Sequence, residues 1–193
     1  MKRVSLLIVI AVSFLLTSCS HVNENIDSVM SDFNDQRILI VYYSKSGNTK
    51  KVVNLMSDQL SAEVYEIDLE NPYDEDDNTT HYQAQDEIKS ENLRKIRGEL
   101  PNILDYDLIL IGGPVWSGRI SNPLMEYLNL TDFKNINVAP FWTDAGSFEG
   151  YEEDFHKFVR NGTVLNGQGF SHVSSMSDLE IKKLIEDWTN RLS

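Results

Sequence analysis

Ser44, Ser46, Asn48 and Thr49 gather four side-chain hydrogen-bond donors around one glycine, Gly47. Each can donate to a phosphate oxygen, and Gly47 lets the backbone turn and approach a ligand. The apolar run at residues 38–42 leads in and a helix-like run at 50–56 leads out, so the cluster falls where a buried strand gives way to a helix. There, unpaired N–H groups and the positive end of the helix dipole favour an anion. Ser, Asn and Thr are also capping residues, but four donors exceed what a cap uses. The segment reads as a phosphate-binding loop. Lys45 stands inside it, and its charge either assists the anion or only faces solvent.

Two more clusters follow strand-like runs. Residues 107–112 lead into Gly113, Pro114, Val115, Trp116, Ser117 and Gly118. Trp116 offers a flat face for stacking, and a Pro-x-Trp turn just past a strand is an odd place for a core tryptophan. Residues 137–142 lead into Thr143, Asp144, Ala145, Gly146 and Ser147, a loop of mostly small residues.

The elements that must position these loops alternate. Strands are expected at 37–43, 63–69, 107–112, 137–142 and 163–165, and helices at 48–60, 82–97, 121–128, 151–159 and 177–192. In the third helix from the N-terminus Pro123 falls near the first turn, where it is tolerated. Ser177 is a plausible cap for the last. In the 82–97 helix, Ile88, Leu93 and Ile96 are expected to face inward. Residues 70–80 read as an acidic loop. Alternation of this kind implies a parallel sheet with helices on both faces and right-handed crossovers.

Ser44-x-Ser46-Gly47-Asn48-Thr49 after a hydrophobic strand resembles the FMN-phosphate loop of flavodoxins: a hydroxyl residue, any residue, a hydroxyl residue, then Gly-Asn-Thr. The clusters at 106–118 and 139–147 are similar to that family's two further loops, in the same order, and the likeness runs from about Arg37 to the C-terminus. Pro72-Tyr73, Tyr82, Glu87 and Glu99-Leu100-Pro101 resemble one subfamily, with Tyr82 either near the flavin or packing. The resemblance implies a flavodoxin-like doubly wound α/β sandwich with a five-stranded parallel sheet of order 2-1-3-4-5. In it the ligand lies at the carboxyl ends of strands one, three and four, where all three loops emerge.

It implies FMN as cofactor, its phosphate on residues 44–49 and its ring beside Pro114, Val115, Trp116, Ser117 and Gly118, with Gly113 and Gly118 letting backbone approach the ring edge. Amides of Thr143 to Ser147 would meet the pyrimidine carbonyls. Asp144 would accept from the flavin N3–H or cap the next helix, and Phe148 is a candidate second wall. The subfamily often has an aromatic where this chain has Ser117, which leaves the flavin face less enclosed.

Composition sets the setting. The chain has 193 residues, a net charge of −13 and one cysteine, enough for one domain with a core and no intrachain disulfide. Such acidity repels nucleic acid and anionic lipid; it either suits basic docking surfaces on redox partner proteins or only keeps the protein soluble. Met1-Lys2-Arg3, an apolar stretch to Leu16 and then Leu16-Thr17-Ser18-Cys19 resemble a bacterial lipoprotein leader: a signal peptide over 1–18, a lipidated Cys19 and a polar tether over 19–36. The apolar stretch is too short to span a bilayer. The domain at 37–193 is then expected outside the cytoplasm, held to a cell or outer membrane by acyl chains.

Several signals fail. Residues 113–118 have P-loop glycine spacing without its Lys and Ser/Thr, and 167–169 do not complete a dinucleotide fingerprint. The four histidines are scattered and lack cysteine partners, so no metal site is read. The acidic run at 74–77 lacks the glycine and spaced glutamate of a calcium loop. The function expected is an FMN-binding electron carrier anchored outside the cytoplasm. The alternatives are an FMN-dependent NAD(P)H:quinone or nitro-compound oxidoreductase, and a non-catalytic surface lipoprotein on the same scaffold.

Overall fold

A computed structural model describes residues 36–192. The leader at 1–18, Cys19 and the tether up to residue 35 lie outside the described residues.

The chain runs β1 (Ile38–Tyr42), α1 (Asn48–Leu60), β2 (Glu63–Glu66), α2 (Asp77–Ser90), β3 (Leu108–Trp116), β4 (Arg119–Ile120), α3 (Asn122–Leu130), β5 (Asn137–Asp144), α4 (Tyr151–Phe158), β6 (Thr163–Val164), β7 (Gln168–Ser171) and α5 (Asp178–Thr189). All five residues of β1 are buried, as expected of a parallel strand covered on both faces. The sheet order is β2-β1-β3-β5-β6, with these strands parallel. That is the expected 2-1-3-4-5 arrangement, with two additions.

The first addition is at the edge. β7 also pairs parallel with β5, further along than β6. Val164 faces Val138 and Gln168 faces Phe141, so the outer strand carries one more residue than its partner between these points. β6 and β7 are two halves of a fifth strand broken by a bulge. The second addition is β4, which pairs antiparallel with the end of β3. The loop expected from residue 113 is therefore mostly strand.

Helices cover both faces. α1 contributes Val52, Val53 and Met56, and α5 contributes Ile181, Ile185 and Trp188, to one apolar core. α3 supplies Leu124, Tyr127 and Leu128, and α4 supplies Tyr151 and Phe155, to the other. α5 opens on a capping box between Ser177 and Glu180, as its sequence indicates. Leu179 in its first turn is 78% exposed and plays no part in the core.

The helix expected at 82–97 instead occupies 77–90. Asp76 caps it, accepting from the Thr79 amide at 2.7 Å. Ile88 is 46% exposed. Ile96 is buried, but in a short antiparallel bridge with Leu69 after the helix has ended.

Candidate functional site

At the carboxyl ends of β1, β3 and β5 an open cleft of about 1230 Å³ is bounded by Lys45, Ser46 and Asn48, by residues 114–117, and by Thr143, Asp144 and Ala145. The three clusters thus converge on one edge, as winding the sheet requires.

In the first loop Gly47 holds φ 88, a left-handed conformation that an L side chain rarely adopts. It occupies the position before α1 and supplies no side-chain cap. The Lys50 amide donates to Ser44 Oγ at 3.2 Å. Among the described residues no acceptor meets the amides of Ser46, Gly47, Asn48 or Thr49. Ser46 Oγ accepts a long 3.4 Å contact from Asn48 Nδ2 and keeps its own hydrogen free. Thr49 is buried, its hydroxyl 2.8 Å from that of Thr143. One hydroxyl of such a pair donates to the other and leaves one hydrogen for a further acceptor. The loop therefore presents a set of unspent donors at a helix N-terminus, the chemistry of an anion site.

Lys45 does not face solvent. Its ammonium meets Asp77 Oδ1 at 2.6 Å and the Glu75 carbonyl at 3.0 Å, and its side chain is 16% exposed. It ties the loop to the start of α2.

The second cluster is a hairpin. Ser117 (φ 51) and Gly118 (φ 78) are both left-handed, the two-residue turn that matches strand twist. Trp116 opposes Arg119 in register. Arg119 donates to the buried carboxylate of Asp154 through Nε, at 2.7 Å, and Nη2, and the Gly150 amide reaches the Gly118 carbonyl at 2.9 Å. These bonds fasten the hairpin to α4. Trp116 borders the cleft and meets Tyr43 and Tyr73 at near right angles, with centroids 5.9 and 4.9 Å away. No ring among the described residues lies parallel to it. Burial pushes the Tyr43 hydroxyl up to about 12, with Arg94 opposing, so Tyr43 stays neutral. A side chain at Gly113 would strike Leu124 Cδ1 at 2.7 Å, so its lack of one lets β3 meet α3.

In the third cluster Asp144 caps no helix. Its Oδ1 accepts from the Gly146 amide at 2.6 Å and the Ser171 hydroxyl at 2.9 Å, fixing the turn against β7. Ser147 turns to Glu149 at 3.3 Å. Gly118, Gly146 and Ser147 shape these turns without lining the cleft. Phe148 packs on Trp142, with centroids 5.3 Å apart, rather than walling the cleft. Tyr82 is 67% exposed and meets only the ring of His81. Two residues that sequence reasoning passed over belong to the site: His172, on the cleft rim beside Asp144, and Asn122, at the start of α3. His172 had no partner motif to reveal it. Asn122 lay in a helix read only for packing.

A family model described as Flavodoxin matches residues 37–190. The flavoprotein of Lactobacillus acidophilus NCFM, solved in complex with FMN, is 30% identical, with 77% of this chain and 98% of that one covered and a TM-score of 0.65. A protein of Bacteroides uniformis ATCC 8492 shares the fold at 22% identity and a TM-score of 0.67, covering 78% of this chain and 97% of its own. No protein of the curated set compared with it matches this sequence. The sheet order, the three convergent loops and the match across nearly all of the described residues lead to one conclusion: this chain belongs to the flavodoxin family.

Proposed function

We propose that this protein binds FMN and carries electrons while anchored by lipid outside the cytoplasm. The observation that carries the proposal is the cradle before α1, with its unspent amides, its hydroxyls and Gly47. Open space lies where a side chain at Gly47 would project. A phosphate monoester carries nearly two charges at neutral pH and fits such donors without an arginine. Residues 44–49 would hold the phosphate, Trp116 would face the ring, and the segment from Thr143 to Ala145, which lines the cleft, would meet its polar edge. Bound FMN supplies one- or two-electron chemistry. The chain's part is to bind it, orient it and set its electrostatic surroundings. A net charge of −13 opposes further negative charge on the cofactor and favours basic partners. Nucleic acid is no partner for such a surface.

The anchoring part rests on the leader and Cys19. Topology is compatible with it. The chain enters the fold at the amino end of β1 and the cleft lies at the carboxyl ends of the strands, so attachment at the amino end does not cover the cleft. No helix among the described residues is long and apolar enough to cross a membrane.

A second reading, an FMN-dependent oxidoreductase acting on a quinone or nitro compound, draws on one observation. The cleft runs past Trp116 along the groove between α2 and α3, by Ala84, Ile88 and Met125, and exceeds the roughly 300–1,000 Å³ of common ligand pockets. Purification of the chain lacking its first nineteen residues separates these readings. A yellow protein that needs a separate reductase supports the carrier. Steady NADPH oxidation with a quinone supports the enzyme. A protein that takes up no FMN overturns both.

A further inference from the structure

Four residues scattered in sequence close on one another behind Trp116. The Glu87 carboxylate, its side chain 11% exposed, accepts from Arg94 Nε at 2.7 Å, from Asn122 Nδ2 at 2.9 Å and from the Tyr73 hydroxyl. The Arg94 guanidinium lies 3.8 Å from the centroid of the Tyr73 ring. It also donates to Gln83 Oε1 and to the carbonyls of Asn71 and Pro72. Asn122 adds a bond to the Ala84 carbonyl at 3.0 Å.

Burying a carboxylate and a guanidinium is expensive for stability, and an apolar replacement often does as well. A satisfied polar network contributes geometry instead: it fixes each member against the others. Here one end of the network meets the ring wall and the other borders the hairpin that carries it. Tyr73 presses on Trp116 at 87°, and Asn122 begins α3 two residues after the hairpin strand that opposes Trp116.

We propose that Glu87 is a positioning residue for the ring half of the cleft: through Tyr73 and Asn122 it holds Trp116 where a flat ring can stack. This rests on the FMN reading above and adds to it a division of labour. No hydrogen bond joins Ser44, Ser46, Asn48 or Thr49 to the network among the described residues, and Lys45 holds α2 at its opposite end, on Asp77, so loosening the network weakens ring binding more than phosphate binding.

The experiment measures dissociation constants for riboflavin, which has the ring without the phosphate, and for inorganic phosphate by competition, in the wild type, Glu87→Ala and Tyr73→Phe. Riboflavin affinity is expected to fall about tenfold in E87A, the scale of one aromatic contact, and about threefold in Y73F, with phosphate constants changing less. Emission from bound FMN, quenched by a close aromatic wall, is expected to rise in both. If E87A does not fold, Y73F decides, since it removes a single hydroxyl. Unchanged riboflavin affinity in a folded variant overturns the proposal. So does an equal loss for riboflavin and phosphate, which is what a merely structural role gives. A wild-type protein that binds neither FMN nor riboflavin overturns the FMN reading itself and this proposal with it.

Discussion

The two ends of the sheet use similar residues in opposite ways. At the amino end polar groups close on each other. Asp132 accepts from Lys134 Nζ at 2.6 Å and Asn161 Nδ2 at 3.1 Å. Asp107 accepts from the Arg37 amide at 2.8 Å, and Tyr106 donates to Glu63 at 2.9 Å. At the carboxyl end the amides of residues 46–49 and the Ser46 hydroxyl are left without acceptors among the described residues. A paired donor adds on the order of 1 kcal/mol to folding; an unpaired one at a helix N-terminus is available to a ligand. The carboxyl end has closed pairs too, such as Lys45–Asp77 and Arg119–Asp154; what sets it apart is the loop whose donors stay unpaired among the described residues, which is where the proposal puts binding.

Substitutions can break that assignment. The largest effect is expected from the double variant S46A/T49V. Hydrogen bonds to a charged group contribute roughly 1.5–3 kcal/mol each, so FMN affinity should fall about a hundredfold or more, while riboflavin affinity moves by less than about threefold. Stability should drop by about 1–3 kcal/mol, because the buried Thr143 hydroxyl loses its partner. Equal losses for FMN and riboflavin in a titration would mean that loop one does not hold the phosphate. Next, W116A should weaken FMN and riboflavin alike, by about tenfold.

A smaller effect concerns the amino end. Hydrogen bonds from Lys134 and Asn161 hold the Asp132 carboxyl at about 2, below its unfolded value of about 3.9. A depressed carboxyl contributes stability that is present above the unfolded pKa and lost as pH falls through the folded one. Urea midpoints of the wild type should therefore drop between about pH 4 and pH 2, and D132N should flatten that part of the curve. FMN affinity at pH 7 should not change in D132N; if it does, the ends are coupled. The smallest effect is expected from Y82A, less than about twofold on FMN affinity, because Tyr82 stands outside the cleft.

The readable parts of this chain were those with local chemistry. β1 announces itself by an unbroken apolar run, and the next loop by hydroxyls around Gly47. The last helix shows its cap and stripe. α2 shifted because only Thr80 and Ala84 of its residues are buried, too little to set a period, and its cap Asp76 lies in an acidic run that reads as loop. The extension of β3 to Trp116 depended on two left-handed residues, Ser117 and Gly118, of which only the glycine signals itself. β7, Gln-Gly-Phe-Ser, has no alternation and takes its place only from β5 beside it. The Glu87 network joins residues 73, 87, 94 and 122; Tyr73 and Glu87 stand in one subfamily-like pattern, but nothing along the chain brings Arg94 and Asn122 to them. Lys45 had two open roles and took a third, as a strut to Asp77.

On the reading proposed here, the uncapped start of α1 seats a phosphate monoester. The most direct test of that reading is a paired fluorescence titration of the folded domain with FMN and with riboflavin. Saturable one-to-one quenching by FMN is expected, at least about thirtyfold tighter than by riboflavin, with most of the gap closed in S46A/T49V. Equal affinities for the two in the wild type, or no saturable quenching by FMN, would contradict it.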